Sequence, residues 1–224
     1  MNSVDPQPRS LRLNAHLRAA ALLSLALFAG SAHADRHVPF KQGAVFGAVA
    51  TWTYALWAGL PLTNCRDRGL HLRGEYGEDD ELQISSLGLY KHDCLLKEYD
   101  SGRLSYTPMV NITHWSADST ARYSRSTFDI AAIPMIRWSP KLQSWPVRLD
   151  VEFGVGVALL GEPSIGNRQK TTSFQFSDHS GFGISDHSGL WRLGFAFRHL
   201  SNLNLGTPNN GANFFGASLE VRLP

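Results

Sequence analysis

Between Val147 and Leu159 the chain alternates without a break. The odd positions are Val147, Leu149, Val151, Phe153, Val155, Val157 and Leu159, and the even ones are Arg148, Asp150, Glu152, Gly154, Gly156 and Ala158. A period of two is that of a β-strand, so one face of this strand is wholly apolar and the other mixes charges of both signs with glycine. A solvated face has no need of the glycines. A narrow barrel interior needs both, because its charges pair across neighbouring strands and its glycines relieve crowding. The alternation therefore points to a small barrel whose apolar face looks outward at lipid. A solvated face in a two-layer sandwich is the alternative.

From Ala44 onward, apolar and aromatic segments are broken by clusters of Gly, Pro, Asn, Asp and Ser, and no long segment has a helical period. The fold class expected is all-β, with strands at residues 44–59, 68–90 (with a break near Gly77 to Glu81), 103–115, 125–138, 145–160, 170–185, 189–203 and 211–223. That is an even set of eight, suited to closing an antiparallel transmembrane barrel. Phe128, Ile130, Ala132, Pro134, Ile136 and Trp138 lie opposite Asp129 and Arg137, with Pro134 calling for a bulge or a local edge. Trp115, Trp138, Trp145 and Trp191 fall near strand ends, where an interfacial girdle would hold them and where core positions are an equal alternative.

Residues 1–34 read as a cleavable export signal: Arg9, Arg12 and Arg18 precede an apolar run from Ala19 to Gly30, and Ala32-His33-Ala34 offers a cleavage site. The run falls short of the roughly 20 residues that a membrane-spanning helix needs. The barrel domain is then residues 35–224. Cleavage removes three arginines and Asp5 and leaves basic and acidic residues in balance, which gives no footprint for nucleic acid. Cys65 and Cys94 are the only cysteines, and in an exported chain they can form a disulfide or stay as two thiols. His71, His92 and His114 show no metal-binding spacing, and no HExxH or paired CxxC is present, so no metal and no cofactor are expected.

An internal echo, Ser177-Asp178-His179-Ser180-Gly181 and Ser185-Asp186-His187-Ser188-Gly189, has the residue types of a catalytic triad but not its geometry. Adjacent strand residues point to opposite faces, so three in succession cannot converge on one atom. A structural or turn role is expected for both copies.

The informative region is the last pair of strands. Trp191, Leu193, Phe195, Phe197, His199 and Ser201 share one face, and Asn213, Phe215, Ala217, Leu219, Val221 and Leu223 share the corresponding face of the next strand. By the barrel parity, His199, Ser201 and Asn213 lie on the lipid side. Polar groups there are costly without a role. The turn from Gly206 to Gly211 brings the two strands together, so His199 could accept the Ser201 proton while Asn213 holds the imidazole in the required tautomer. Standing alone, His-x-Ser is a weak signal.

The same region resembles the lipid A 3-O-deacylase (PagL) family of outer-membrane barrels. The resemblance rests on Phe174-Gln175-Phe176-Ser177-Asp178, His199-Leu200-Ser201-Asn202 and Pro208-Asn209-Asn210-Gly211-Ala212-Asn213, within a match that runs from Asp129 to Leu223. It implies an esterase of the Gram-negative outer membrane that removes an ester-linked 3-O acyl chain from the lipid A of lipopolysaccharide. His199 would be the general base, Ser201 the nucleophile and Asn213 the orienting residue, with the substrate and the surrounding outer-membrane lipids as partners. The oxyanion donor would fall in the residues just after the serine, Asn202, Leu203 and Asn204, with Asn202 and Asn204 as candidate donors or substrate-binding residues. Two departures stand out: an amide, Asn213, where the family has glutamate, and Leu203-Asn204 where it has small residues. A non-catalytic barrel, structural or adhesive or an inactive member, is the alternative, and a soluble lipid-binding barrel with inverted parity is a third. Whether the chain forms a homodimer is left open.

Overall fold

The computed structural model describes residues 69–91, 94–142 and 144–224. The expected signal at residues 1–34 and the expected strand at 44–59 lie outside the described residues. The described strands are β1 (Leu70–Asp79), β2 (Leu82–Lys91), β3 (Cys94–Tyr99), β4 (Gly102–Ala117), β5 (Ser126–Pro140), β6 (Arg148–Leu160), β7 (Phe174–Ser185), β8 (Trp191–Ser201) and β9 (Ala212–Arg222).

Every neighbouring pair is antiparallel, and the sheet closes through β1 on β9 and β2 on β4. β2 and β3 lie end to end along β4, from Leu82↔Ala117 down to Tyr99↔Gly102, with a bulge between Leu95 and Lys97. They therefore act as one long barrel strand, and the closed wall is eight-stranded. The stretch 68–90 is two strands, and the break near Gly77 to Glu81 is a complete hairpin turn in which Asp80 takes a positive φ of 39°.

The faces follow the parity of the sequence. Val151, Val157 and Leu159 of β6, Phe128 and Ile130 of β5, and Leu193, Phe195, Phe215 and Leu219 of β8 and β9 are all exposed on the outer wall. Such a wall is stable only against hydrocarbon, which makes this a transmembrane barrel. In the lower lumen Arg73, Arg137 and Arg192 interlock with Asp150, Glu152 and Glu220. Arg73 Nη1 lies 2.8 Å from Glu152 Oε1, Arg137 Nη2 2.7 Å from Glu152 Oε2, and Arg192 Nη1 2.9 Å from Glu220 Oε1. The upper lumen holds an apolar cluster, Trp115, Phe214, Leu82, Ile84, Ile133 and Leu200, beside the buried Arg198–Asp129 pair.

Glycine is required where β6 crosses β5. A Cβ on Gly156 would stand 2.3 Å from the Ala132 carbonyl oxygen, and one on Gly154 2.8 Å from that of Pro134. Pro134 interrupts the β5–β6 ladder without shifting it, since Ala132↔Val157 and Met135↔Gly154 keep one alignment. It makes a gap in the ladder and no bulge. Trp115 is a core residue bonded to Asp129, while Trp145 and Trp191 are exposed at the lower rim. Cys94 opens β3 buried and is not a free thiol, while Cys65, its expected partner, lies outside the described residues.

At the upper end the β1–β2 turn is tight, but the other connections span residues 118–125, 161–173 and 202–211, whereas those at the lower end, where the C-terminus also lies, are shorter than these three. Outer-membrane barrels place their longer loops outside the cell. β8 ends and β9 begins at that upper, outer-leaflet end.

Candidate active site on the outer wall

The β8–β9 register sets His199 directly opposite Asn213. Their alternation partners Arg198 and Phe214 are buried in the lumen, so both side chains point outward. His199 Nδ1 lies 2.6 Å from Asn213 Oδ1. An amide oxygen can only accept, so Nδ1 carries the proton and Nε2 is left as the basic nitrogen. Asn213 is held in turn by its own N–H, which donates to Asp79 Oδ2 at 2.8 Å, and Asp79 also pairs with Arg168 at 3.1 Å. Below the pair, Phe197 and Phe215 pack at 5.0 Å and form an apolar floor.

Ser201 is the last residue of β8, on the same face as His199 but buried, and opposite Phe176 of β7. No hydrogen bond joins Ser201 to His199 in this structure. The structure thus bonds two of the three expected residues and leaves the third two positions along the same strand face, about 7 Å away at the Cα. Such contacts often tighten only with substrate in place.

The loop after Ser201 is shaped by asparagines. Asn202 N–H donates to Asn209 Oδ1 at 3.0 Å, its amide nitrogen to the Gly206 carbonyl at 3.1 Å, and its Oδ1 accepts the Asn204 N–H at 3.0 Å. Asn204 Oδ1 accepts from Asn209 at 3.2 Å. Leu203 and Asn204 both take positive φ, 53° and 61°, so the backbone doubles back directly after the serine. Of the three residues where the oxyanion donor was expected, Asn202 and Asn204 have their N–H groups engaged in the loop, whereas the Leu203 N–H has no hydrogen bond among the described residues.

Two features were not anticipated from sequence. Gly211 packs against the imidazole, and a Cβ there would stand 3.0 Å from His199 Cε1. Lys170, buried, donates to the Leu200 carbonyl at 3.2 Å and the Asn210 carbonyl at 2.5 Å, joining β8 to the strand-forming end of the loop. The echoed motifs divide as parity demands. His179 points into the lumen, 3.1 Å from Glu152, and Asp186 accepts the N–H groups of Ser188 and Trp191 as the hinge of the β7–β8 turn. No group of residues among those described could hold a metal ion.

A small transmembrane barrel carrying an outward histidine–amide pair at its upper rim has its candidate site on the wall and not in the lumen. The chain belongs to the lipid A 3-O-deacylase (PagL) family, which it matches over residues 87–222. It is 32% identical over 111 residues to the lipid A deacylase PagL of Bordetella bronchiseptica, a match that covers 49% of this chain and 58% of that protein. Its fold matches the crystal structure of the outer membrane enzyme PagL with a TM-score of 0.61 at 19% identity, over 68% of this chain and 99% of the other. The outer membrane is accordingly its location.

Proposed function

We propose that this protein is a serine esterase that hydrolyses an ester-linked 3-O acyl chain of lipid A, with lipopolysaccharide as its substrate in the membrane. The observation that carries the reading is the outward His199–Asn213 bond, which fixes the tautomer a general base needs on a surface where polar side chains are otherwise costly. Membership of the family supports the substrate. The acyl esters of lipid A lie at the depth of the outer leaflet, so they reach an upper-rim site on the outer wall without leaving the bilayer.

In this reading, Ser201 Oγ attacks the ester carbonyl as His199 Nε2 takes its proton. The tetrahedral intermediate collapses, the sugar oxygen leaves with that proton, and the acyl chain stays on Ser201. His199 then draws a proton from water, which attacks the acyl-enzyme and frees the fatty acid. The Leu203 N–H is the oxyanion donor, presented by the left-handed turn. Asn202 and Asn204 act on substrate through that turn, by holding its backbone.

The test is incubation of purified protein in detergent with lipopolysaccharide, followed by mass measurement of lipid A. The expected result is the loss of one acyl chain and release of a free fatty acid, with no change for Ser201→Ala. An unaltered lipid A mass from folded wild-type barrel leaves the non-catalytic reading standing.

A further inference from the structure

His199 has a second neighbour. The β7–β8 register sets Asp178 directly opposite it, on the side away from Asn213. The residues on either side of Asp178 are turned into the lumen: Ser177 accepts from Arg198 at 3.1 Å, and His179 contacts Arg73 at 3.0 Å. Asp178 therefore faces outward with His199. Cβ atoms of directly opposed strand residues stand about 4.5–5.5 Å apart. Asp178 is partly buried, accepts no hydrogen bond among the described residues, and has His199 as its electrostatic partner.

Its isolation is informative. The other carboxylates of strands β5 to β9, Asp129, Asp150, Glu152 and Glu220, are all lumenal and paired with arginine. Asp178 alone among them is on the lipid-facing side and lacks an arginine among the described residues, and an acid at such a position is expensive and marks a functional one. Asn213, meanwhile, can orient the imidazole but brings no charge to it.

We propose that orientation and charge are divided between the two flanking strands: Asn213 fixes the His199 tautomer from β9, and Asp178 stabilises the imidazolium from β7 when His199 holds the Ser201 proton. This rests on the esterase reading above. Asp178 is a positioning and electrostatic residue that acts through His199 and does not itself touch substrate. The interaction gains strength as charge develops on the ring, so its loss falls on kcat and leaves KM in place.

The experiment compares wild type, Asp178→Asn, Asp178→Glu and the double variant Asp178→Asn/Asn213→Glu, each as full-length protein refolded in detergent with barrel formation checked by heat-modified gel migration. Release of fatty acid from lipopolysaccharide is read as kcat and KM. Asp178→Asn is expected to lower kcat about thirtyfold with KM within about twofold, and Asp178→Glu to keep most of the rate. The double variant, which returns a carboxylate from the other side, is expected to recover to within a few fold of wild type. A folded Asp178→Asn with wild-type kcat overturns the proposal, as does a double variant no faster than the single one, which would make Asp178 a structural residue. A wild type that releases no fatty acid overturns the esterase reading and this proposal together, whereas an active wild type beside an unaffected Asp178→Asn overturns this proposal alone.

Discussion

His199 Nδ1 and Asn213 Oδ1 meet at 2.6 Å across the β8–β9 ladder, on the wall of the barrel and not in its lumen. The bond sets the tautomer but carries no charge, so its removal should cost about as much as one neutral hydrogen bond, roughly 1 kcal/mol. Asn213→Ala is therefore expected to lower kcat for fatty acid release about fivefold. Asn213→Glu should preserve or raise it. Total loss on Asn213→Glu would show that the amide makes a contact an acid cannot.

Ser201 and His199 act as a unit in the proposed chemistry, so their removal should not add. Ser201→Ala and His199→Ala are each expected to abolish release from lipopolysaccharide, and the double variant to be no slower than either. Multiplying losses in a kinetic cycle would mean that the two residues serve separate steps.

Gly211 offers a test of ring placement that touches no reacting group. A Cβ there would lie 3.0 Å from His199 Cε1, so the ring must shift by a few tenths of an ångström to admit alanine and further for valine. Gly211→Ala is expected to lower kcat about tenfold and Gly211→Val about a hundredfold, with the fold intact by circular dichroism. Equal rates for all three would place the working ring elsewhere.

The lumenal network predicts stability, not activity. Glu220 is bonded to Arg73 and Arg192 and sits 3.1 Å from Arg137, with all four side chains almost fully buried. Glu220→Leu strands buried guanidinium charge and should destabilise the barrel by about 3–5 kcal/mol in urea unfolding from lipid vesicles. The site lies at the opposite end of β9, so kcat per folded molecule should hold.

Which residues face lipid was legible because side chains alternate with a period of two, and one clean strand, Val147 to Leu159, fixed the sense for all the rest. The same parity put His199, Ser201 and Asn213 on one side before their partners were visible. Register was not legible. Nothing in the spacing of Asp178 and His199 says that β7 and β8 align them, because alternation fixes a face and leaves the offset between strands free. The β1–β2 hairpin was obscured for another reason: its turn is Asp79-Asp80-Glu81, with neither glycine nor proline, and Asp80 itself takes the left-handed conformation. Asn202 was ambiguous in kind, since an asparagine after the serine can serve as a donor or as a turn builder, and its hydrogen bonds within the loop are visible only once the chain is folded.

Lys170 links the two segments that carry the site through the carbonyls of Leu200 and Asn210. Burial, reinforced by Arg168 and opposed by Asp79, pushes its pKa down from 10.5 to about 8. Below about pH 8 the folded and unfolded chains both hold this proton, and the cost of burying the charge is fully present. Between about pH 8 and 10.5 the unfolded chain binds more protons than the folded one, so this group makes stability rise with pH. Lys170→Met removes the titration along with the two hydrogen bonds. The stability of wild type relative to that variant, measured by urea unfolding, is therefore expected to increase by on the order of 3 kcal/mol between about pH 7 and pH 10.5. A constant difference across that range would mean that the ammonium is hydrated in the folded barrel, and with it that Lys170 does not tie β8 to the loop.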